Sequence, residues 1–241
     1  PPGTLRVMNW NVRYFVPFRK NKFEGDETDN MTAILGEIKT FSPDVICFQE
    51  FYNNGEEKGK DMIKLMTRDM GYPYHYFSRD QVHWKTIITG TAIFSRYPIL
   101  QATKIPYPPS IEEGAESTLF ADIAVGRDTI RFGNIHLQSF RFMPRDYQSF
   151  GKIKNEQDKR LEESKKILRK MTNTFYLHGE QSDFVRKELN KSPYPLVVCG
   201  DLNDVPNSYA YRHIRRDMQD AFLEKGSGIG KTFTSTSSRF L

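Results

Sequence analysis

Apolar residues recur along this chain in short runs, and several of those runs end on an oxygen-bearing side chain. Residues 5–12 place apolar side chains on both parities, which predicts a strand buried on both faces. After a polar loop, Met31, Ile34, Leu35, Ile38 and Phe41 keep helical spacing, with Thr28 or Asp29 as the cap and Ser42-Pro43-Asp44 as the stop. Val45 to Glu50 reads as a short buried strand. A second helix fits residues 57–70, with Ile63, Met66 and Met70 on one face and Gly71 as its end. Residues 72–78 and 89–96 are strand candidates, and residues 118–125 and 128–137 flank Gly126-Arg127-Asp128 as a hairpin.

The second half is more polar. Residues 146–190 are highly charged and helical in pattern, with Leu161, Ile167, Leu168 and Met171 suggesting one helix and Phe184, Val185 and Leu189 another. Residues 195–201 restore the strand pattern, and Asn207 or Ser208 caps a helix running to about Lys225. No internal repeat is present. Strands mixed with hairpins and intervening helices predict a layered α/β (α+β) sandwich in one domain over residues 1–241, not a strictly alternating chain.

Composition narrows this picture only a little. A chain of 241 residues is large enough for one sizeable core, and its net charge of +5 permits an anionic substrate without requiring one. No apolar run approaches a membrane span, so a soluble domain of unassigned compartment is expected. The chain opens Pro1-Pro2-Gly3, which reads as a processed or cut end, compatible with a signal or membrane anchor upstream. Cys47 and Cys199 each lie within an apolar run and are expected to be buried free thiols.

The candidate chemistry sits at strand ends. Glu50 closes a buried run, where a carboxylate is costly unless something pairs with it; magnesium, which takes oxygen ligands, is a natural partner. Asn11 has the same position after residues 7–10, and its amide can ligate a metal or orient Glu50. In Gly200-Asp201-Leu202-Asn203, Gly200 allows a tight exit from the strand. Asp201 can orient or deprotonate water, and Asn203 can donate to a phosphate oxygen; Asp204 fits a turn leading into the following helix cap. His136 shares a strand face with Asn134, Phe132 and Ile130, and beside a phosphate it would donate to nonbridging oxygens.

Five segments taken in order, residues 9–13, 44–50, 90–99, 134–139 and 200–204, resemble the endonuclease/exonuclease/phosphatase superfamily, and the resemblance runs from about Leu5 to Thr232. It implies a four-layer α/β/β/α sandwich of two mixed sheets with the site at one sheet edge. It also implies a hydrolase using Mg2+, or Mn2+, in which water attacks the phosphorus of a phosphodiester or phosphomonoester. By motif match Glu50 is the metal ligand, Asn11 assists at the metal or phosphate, Asp201 handles the water, and Asn203 and His136 hold phosphoryl oxygens. The family's closing segments, an Ile-Asp-Tyr strand and a Ser-Asp-His stretch, would begin where the sequence stops at Leu241, so the protein is expected to continue. The family's tyrosine has three candidates, Tyr74, Tyr76 and Tyr107.

Substrate choice falls to the loops. Residues 13–23 and 140–154 interleave basic and aromatic side chains, among them Arg13 and Arg141 as candidate substrate-binding residues. That mixture suits nucleic acid, through stacking and phosphate contacts, and equally an anionic phospholipid surface. Three readings therefore compete, the first being a metal-dependent nuclease or DNA-end phosphodiesterase. A lipid or small-ester phosphoesterase, or a non-catalytic module of the same fold, are the alternatives. No protein partner is implied, and a monomer is expected.

Overall fold

The computed structural model describes residues 4–15, 27–56, 61–83, 86–111, 116–140 and 157–227, with residues 27–29 and 157–164 described by their backbone. The elements in chain order are β1 (Val7–Asn11), α1 (Glu27–Phe41), β2 (Val45–Asn54), α2 (Met62–Lys64, running into a π-helical turn, Leu65–Asp69), β3 (Tyr74–Phe77), β4 (Gln81–His83) and β5 (Ile87–Ser95). There follow β6 (Ile99–Ile105), β7 (Thr118–Val125), β8 (Asp128–His136), α3 (Gln157–Leu189), β9 (Leu196–Asp201), α4 (Tyr209–Arg215) and α5 (Ala221–Lys225).

Two mixed sheets stack face to face between helices, giving the four-layer α/β/β/α sandwich. One sheet runs β1-β2-β5-β3, with β4 also on β5, and the other runs β6-β7-β8-β9. Three apolar clusters fill the three spaces between the four layers. Ile34 and Ile38 of α1 and Met62 and Met66 of the α2 segment pack on Ile46, Phe48 and Phe94. Val45, Cys47 and Ile93 of one sheet meet Leu119, Ala121, Ile123 and Phe132 of the other. Phe120 and Ile135 pack on Val185 and Leu189 of α3 and on Ala210 and Ile214 of α4. Strand β2 explains its own sequence: alternate residues feed two different cores, so both parities are apolar. Cys47 and Cys199 are free thiols at the inter-sheet core, Cys47 fully buried and Cys199 partly, and the Cys199 thiol beside Cys47, followed by burial, pushes the Cys47 thiol up.

The structure departs from the sequence expectations in instructive places. Strand β1 is only partly buried, with Val7 37% exposed, because it is the outermost strand of its sheet among the described residues. Helix α1 begins at Glu27, so Thr28 and Asp29 lie in its first turn rather than at its cap, and Phe41 faces outward. The second helix starts at Met62, capped by Asp61, whose Oδ1 accepts the Lys64 N–H at 3.0 Å; Gly71, at φ 79°, ends the segment as expected. Residues 57–60 of that expected helix lie outside the described residues. Strands β4 and β6 had no clear alternation and went unread.

The two expected helices between residues 157 and 189 are one helix of 33 residues. Its buried stripe runs through Thr174, His178, Gln181, Ser182, Val185 and Leu189, at helical spacing. Polar members of that stripe conceal it from a hydrophobic pattern, and Gly179, with open space beside it, does not interrupt it. The last expected helix is two. Ser208 caps α4, its Oγ accepting the Tyr211 N–H at 3.1 Å, and Arg216 (φ 47°) breaks the path before Asp220 caps α5.

Gly200 is needed for a reason other than a turn. Its φ is not positive; a Cβ there would run into the carbonyl oxygen of Ile135, its register partner on β8. Gly200→Ala is therefore expected to force β8 and β9 apart and to cost about 1–3 kcal/mol, typical of overpacking, read as a lower midpoint in urea unfolding.

Candidate active site

The two parallel strand pairs end at the same edge of the sandwich. Asn11, the last residue of β1, stands opposite Gln49 midway along β2, where the parallel pairing stops, and His136 stands opposite Asp201 at the end of β8 and β9. The sheets are tied there by side-chain amides, with Gln49 and Asn134 buried and Asn9 exposed. The Gln49 side chain donates to Asn9 Oδ1 (2.8 Å) and Asn134 Oδ1 (2.6 Å), Asn134 donates to the carbonyls of Phe48 (2.9 Å) and Ala92 (3.0 Å), and Asn9 donates to the Gly200 carbonyl (2.9 Å). Immediately after Gln49 the register of β2 against β5 slips between Phe48 and Phe51, and Glu50 adopts φ 49°. A bulge with a left-handed residue re-aims its side chain, here to the cluster at the strand ends.

Five of the seven site residues expected from sequence come together. Asn11 Nδ2 bridges two carboxylates, donating to Glu50 Oε1 (3.1 Å) and Asp201 Oδ2 (3.0 Å), while its Oδ1 accepts the Arg13 N–H (3.0 Å). The Asn203 N–H donates to Asp201 Oδ1 (2.9 Å), fixing the carboxylate from the other side. His136 Nε2 lies 4.0 Å from Glu50 Oε1 and 3.1 Å from Asn203 Nδ2. Arg13 follows the cluster in a left-handed turn, Arg13–Phe15. Arg141 lies outside the described residues, as does most of the basic and aromatic stretch from 140 to 154.

Glu116 was missed. It precedes β7 in a polar stretch with no strand-end signal, yet its Oε2 accepts both His136 Nδ1–H (2.9 Å) and the Glu50 N–H (3.2 Å). Tyr14 was missed as well. It stands in the left-handed turn after Asn11, and burial, followed by the Glu50 and Glu116 charges, pushes its phenol well above the ordinary range. The three tyrosines weighed from sequence lie elsewhere: Tyr107 is buried in the core under α3, Tyr76 packs at the inter-sheet core, and Tyr74 is exposed on β3.

Electrostatics give the cluster its character. Burial pushes the Glu50 carboxyl up; His136 and the Asn11 amide offset this, while Glu116 and Asp201 add to it. Burial alone would disfavour a charged His136, but the Glu116 hydrogen bond and charge, backed by Asp201 and Glu50, raise the ring to about 9. That charged ring meets an awkward neighbour. The Leu137 carbonyl, which can only accept, takes one N–H of Asn203 Nδ2 at 3.0 Å, so the other N–H faces His136 Nε2. With the ring protonated, two donors converge with no acceptor between them, and an anionic oxygen would satisfy both.

Residues 8–240 match the Endonuclease/Exonuclease/phosphatase family. The chain belongs to that family. No curated protein sequence matches the chain. Among solved structures it is similar to an endonuclease/exonuclease/phosphatase from Beutenbergia cavernae (21% identity, 86% of this chain and 50% of that one, TM-score 0.53). It is also similar to sphingomyelinase C from Streptomyces griseocarneus (15% identity, 88% and 68%, TM-score 0.56). A third is D. rerio TDP2 complexed with single strand DNA product (16% identity, 83% and 61%, TM-score 0.51). These likenesses establish the fold, and the chain spans half of the Beutenbergia protein.

The His136–Glu116 contact has a measurable consequence. The ring holds its proton to about 9 when folded, against an ordinary 6.5, so its contribution to stability is complete below about pH 6.5 and is lost as pH rises through about 9. Glu116→Gln is expected to move the ring's midpoint down toward the ordinary value in an NMR titration and to flatten the alkaline fall in stability.

Proposed function

We propose that the protein is a divalent-metal-dependent phosphoesterase in which water attacks the phosphorus of a phosphodiester or phosphomonoester. The observation that carries this reading is the convergence of the His136 and Asn203 donors beside the Glu50, Asn11 and Asp201 cluster. An imidazole and an amide that stand 3.1 Å apart can both donate to a nonbridging phosphoryl oxygen placed beside them. The carboxylates beside them suit a hard cation and a water.

The residues fit a magnesium or manganese ion. Glu50 is an oxygen donor whose burial disfavours its charge, and Glu116 and Asp201 nearby add to the burden, so a cation would relieve it. Glu50 would hold the ion, with Asn11 locking the Glu50 and Asp201 carboxylates at a fixed separation. When bound, the metal supplies charge neutralisation and polarisation at the phosphoryl group. The chain's own groups supply the rest. Asp201, oriented by Asn11 and by the Asn203 N–H, accepts a proton of the attacking water as the water oxygen bonds to phosphorus and the ester P–O bond breaks, the leaving oxygen taking a proton from solvent. His136 and Asn203 hold the oxygens on which negative charge grows, in a site where a buried ring donor is worth more than in water.

The basic and aromatic residues 13–23, which follow Asn11 and Val12, suit a nucleic-acid phosphodiester and an anionic phospholipid alike. Salt separates the choices. Turnover of oligonucleotides should weaken steeply with ionic strength, whereas a preference for dispersed phospholipid would move the assignment to a lipid ester.

Magnesium-dependent hydrolysis of bis(p-nitrophenyl) phosphate tests the core claim. Glu50→Ala should reduce it to background, and a near-normal rate would remove Glu50 from the metal. Asp201→Asn should lower kcat about 10²–10⁴-fold with little change in KM; a pure KM effect would exclude water activation.

A further inference from the structure

His178 and Asp204 form a buried titratable pair that the chemistry above leaves unused. Their side chains keep 1% and 3% of their exposure, with Nδ1 3.0 Å from Oδ2. His178 lies mid-way along α3, and its Nε2–H donates to the Gln138 carbonyl at 2.6 Å. One turn further on, Gln181 accepts the Gln138 N–H at 3.0 Å. Helix α3 thus grips both backbone polar atoms of Gln138, two residues past His136. Residue 137 is gripped from the other loop: the Leu137 N–H donates to the Asp201 carbonyl (3.0 Å), and its carbonyl accepts Asn203 Nδ2 (3.0 Å).

These bonds close a ring. It runs from Asn203 through Leu137 and Gln138 to His178, across to Asp204, and back along the chain to Asn203. We infer that His178 and Asp204 are positioning residues that hold Asn203 and His136 in donor alignment; the inference rests on the phosphoesterase reading for its kinetic part.

Two physical needs meet here. Asn203 sits at φ 49°, a conformation that persists only where surroundings over-determine it, and Asp204 is the residue next along. A carboxylate one residue from a phosphate-holding amide would also repel the substrate. His178 draws that charge away, and the Val205 N–H donates to its other oxygen at 2.8 Å. Neither residue reaches the His136–Asn203 contact itself, so each acts through the loops that carry it.

The test uses Asp204→Ala, His178→Ala and Asp204→Asn in the full-length protein, with thermal melts for folding. An asparagine can keep the clamp: its amide N–H can donate to His178 Nδ1 while its oxygen keeps the Val205 N–H. Both alanine variants should lose kcat on bis(p-nitrophenyl) phosphate by about 10–100-fold with KM within about threefold, and Asp204→Asn should recover most of that loss. The ¹⁵N shifts of the His136 ring should move in the alanine variants and return in Asp204→Asn. Folded alanine variants with unmoved His136 shifts would overturn the inference, as would an Asp204→Asn as impaired as Asp204→Ala. If alanine at either site prevents folding, recovery or loss of kcat in Asp204→Asn, and in His178→Gln, decides. A wild type inactive on phosphodiesters, but with His136 shifts that follow the clamp as stated, would uphold the positioning role and sink the phosphoesterase reading.

Discussion

Gln49 is a fully buried amide in the space between two sheets, and the functional end of the molecule is arranged around its side-chain N–H groups, while its Oε1 has no hydrogen-bond partner among the described residues. A buried amide without partners is expensive, and its cost falls only when neighbours meet it at fixed geometry. Asn9 and Asn134 do so from β1 and β8, and their own amides then bond to carbonyls of β9, β2 and β5. Five strands in two sheets are thereby set in register at one end. Glu50 follows Gln49 directly, so its bulge and left-handed backbone begin from a fixed point.

From that anchor the site's charge balance follows. Glu50, Glu116 and Asp201 gather around one imidazole and one bridging amide, an excess of negative charge in a partly dry setting. The Glu116 contact keeps His136 charged up to about 9, which answers part of the excess. The remainder explains why the Glu50 carboxyl is pushed up and why the donor set suits a hard cation. On the proposed reading, the same cluster would take a cation and an anionic oxygen side by side, as a phosphate ester with its metal requires.

The residues legible in the sequence were those that end a strand. Glu50, His136 and Asp201 each close an apolar run, and Asn11 and Asn203 stand in or beside such runs, so position in the pattern revealed them. Glu116 ends no run: it enters from a loop, and only the fold places it against His136. Tyr14 was hidden because it lies in a left-handed turn that the residue types Arg13, Tyr14 and Phe15 do not announce. His178 was hidden for the opposite reason. It occupies a core position on α3, and a polar residue there dilutes the periodicity that would have identified the helix face. Asp204 was read as a turn residue. It does accept the Val205 N–H, but its other oxygen carries the contact to α3.

The strand directions explain why this edge, and no other, gathers the chemistry. In an antiparallel pair one strand arrives at an edge while its partner leaves, so two strand ends seldom meet. Parallel pairing delivers two carboxyl-terminal ends together. Among the described strands the parallel pairs are β1 with β2 and β8 with β9, and these four supply Asn11, Glu50, His136 and Asp201. The antiparallel strands β3 to β7 brace the sandwich without contributing a side chain to the cluster's core. There Glu50 bulges within β2 and Asn203 turns out of β9, both with left-handed backbones, a conformation that costs a glutamate about 1–3 kcal/mol and an asparagine less. That strain is tolerable because both residues are held: Glu50 by its N–H to Glu116 and by the Asn11 amide, Asn203 by Asp201, Leu137 and the clamp behind it. Parallel ends bring the groups together, and the buried amides and the α3 clamp keep them aligned.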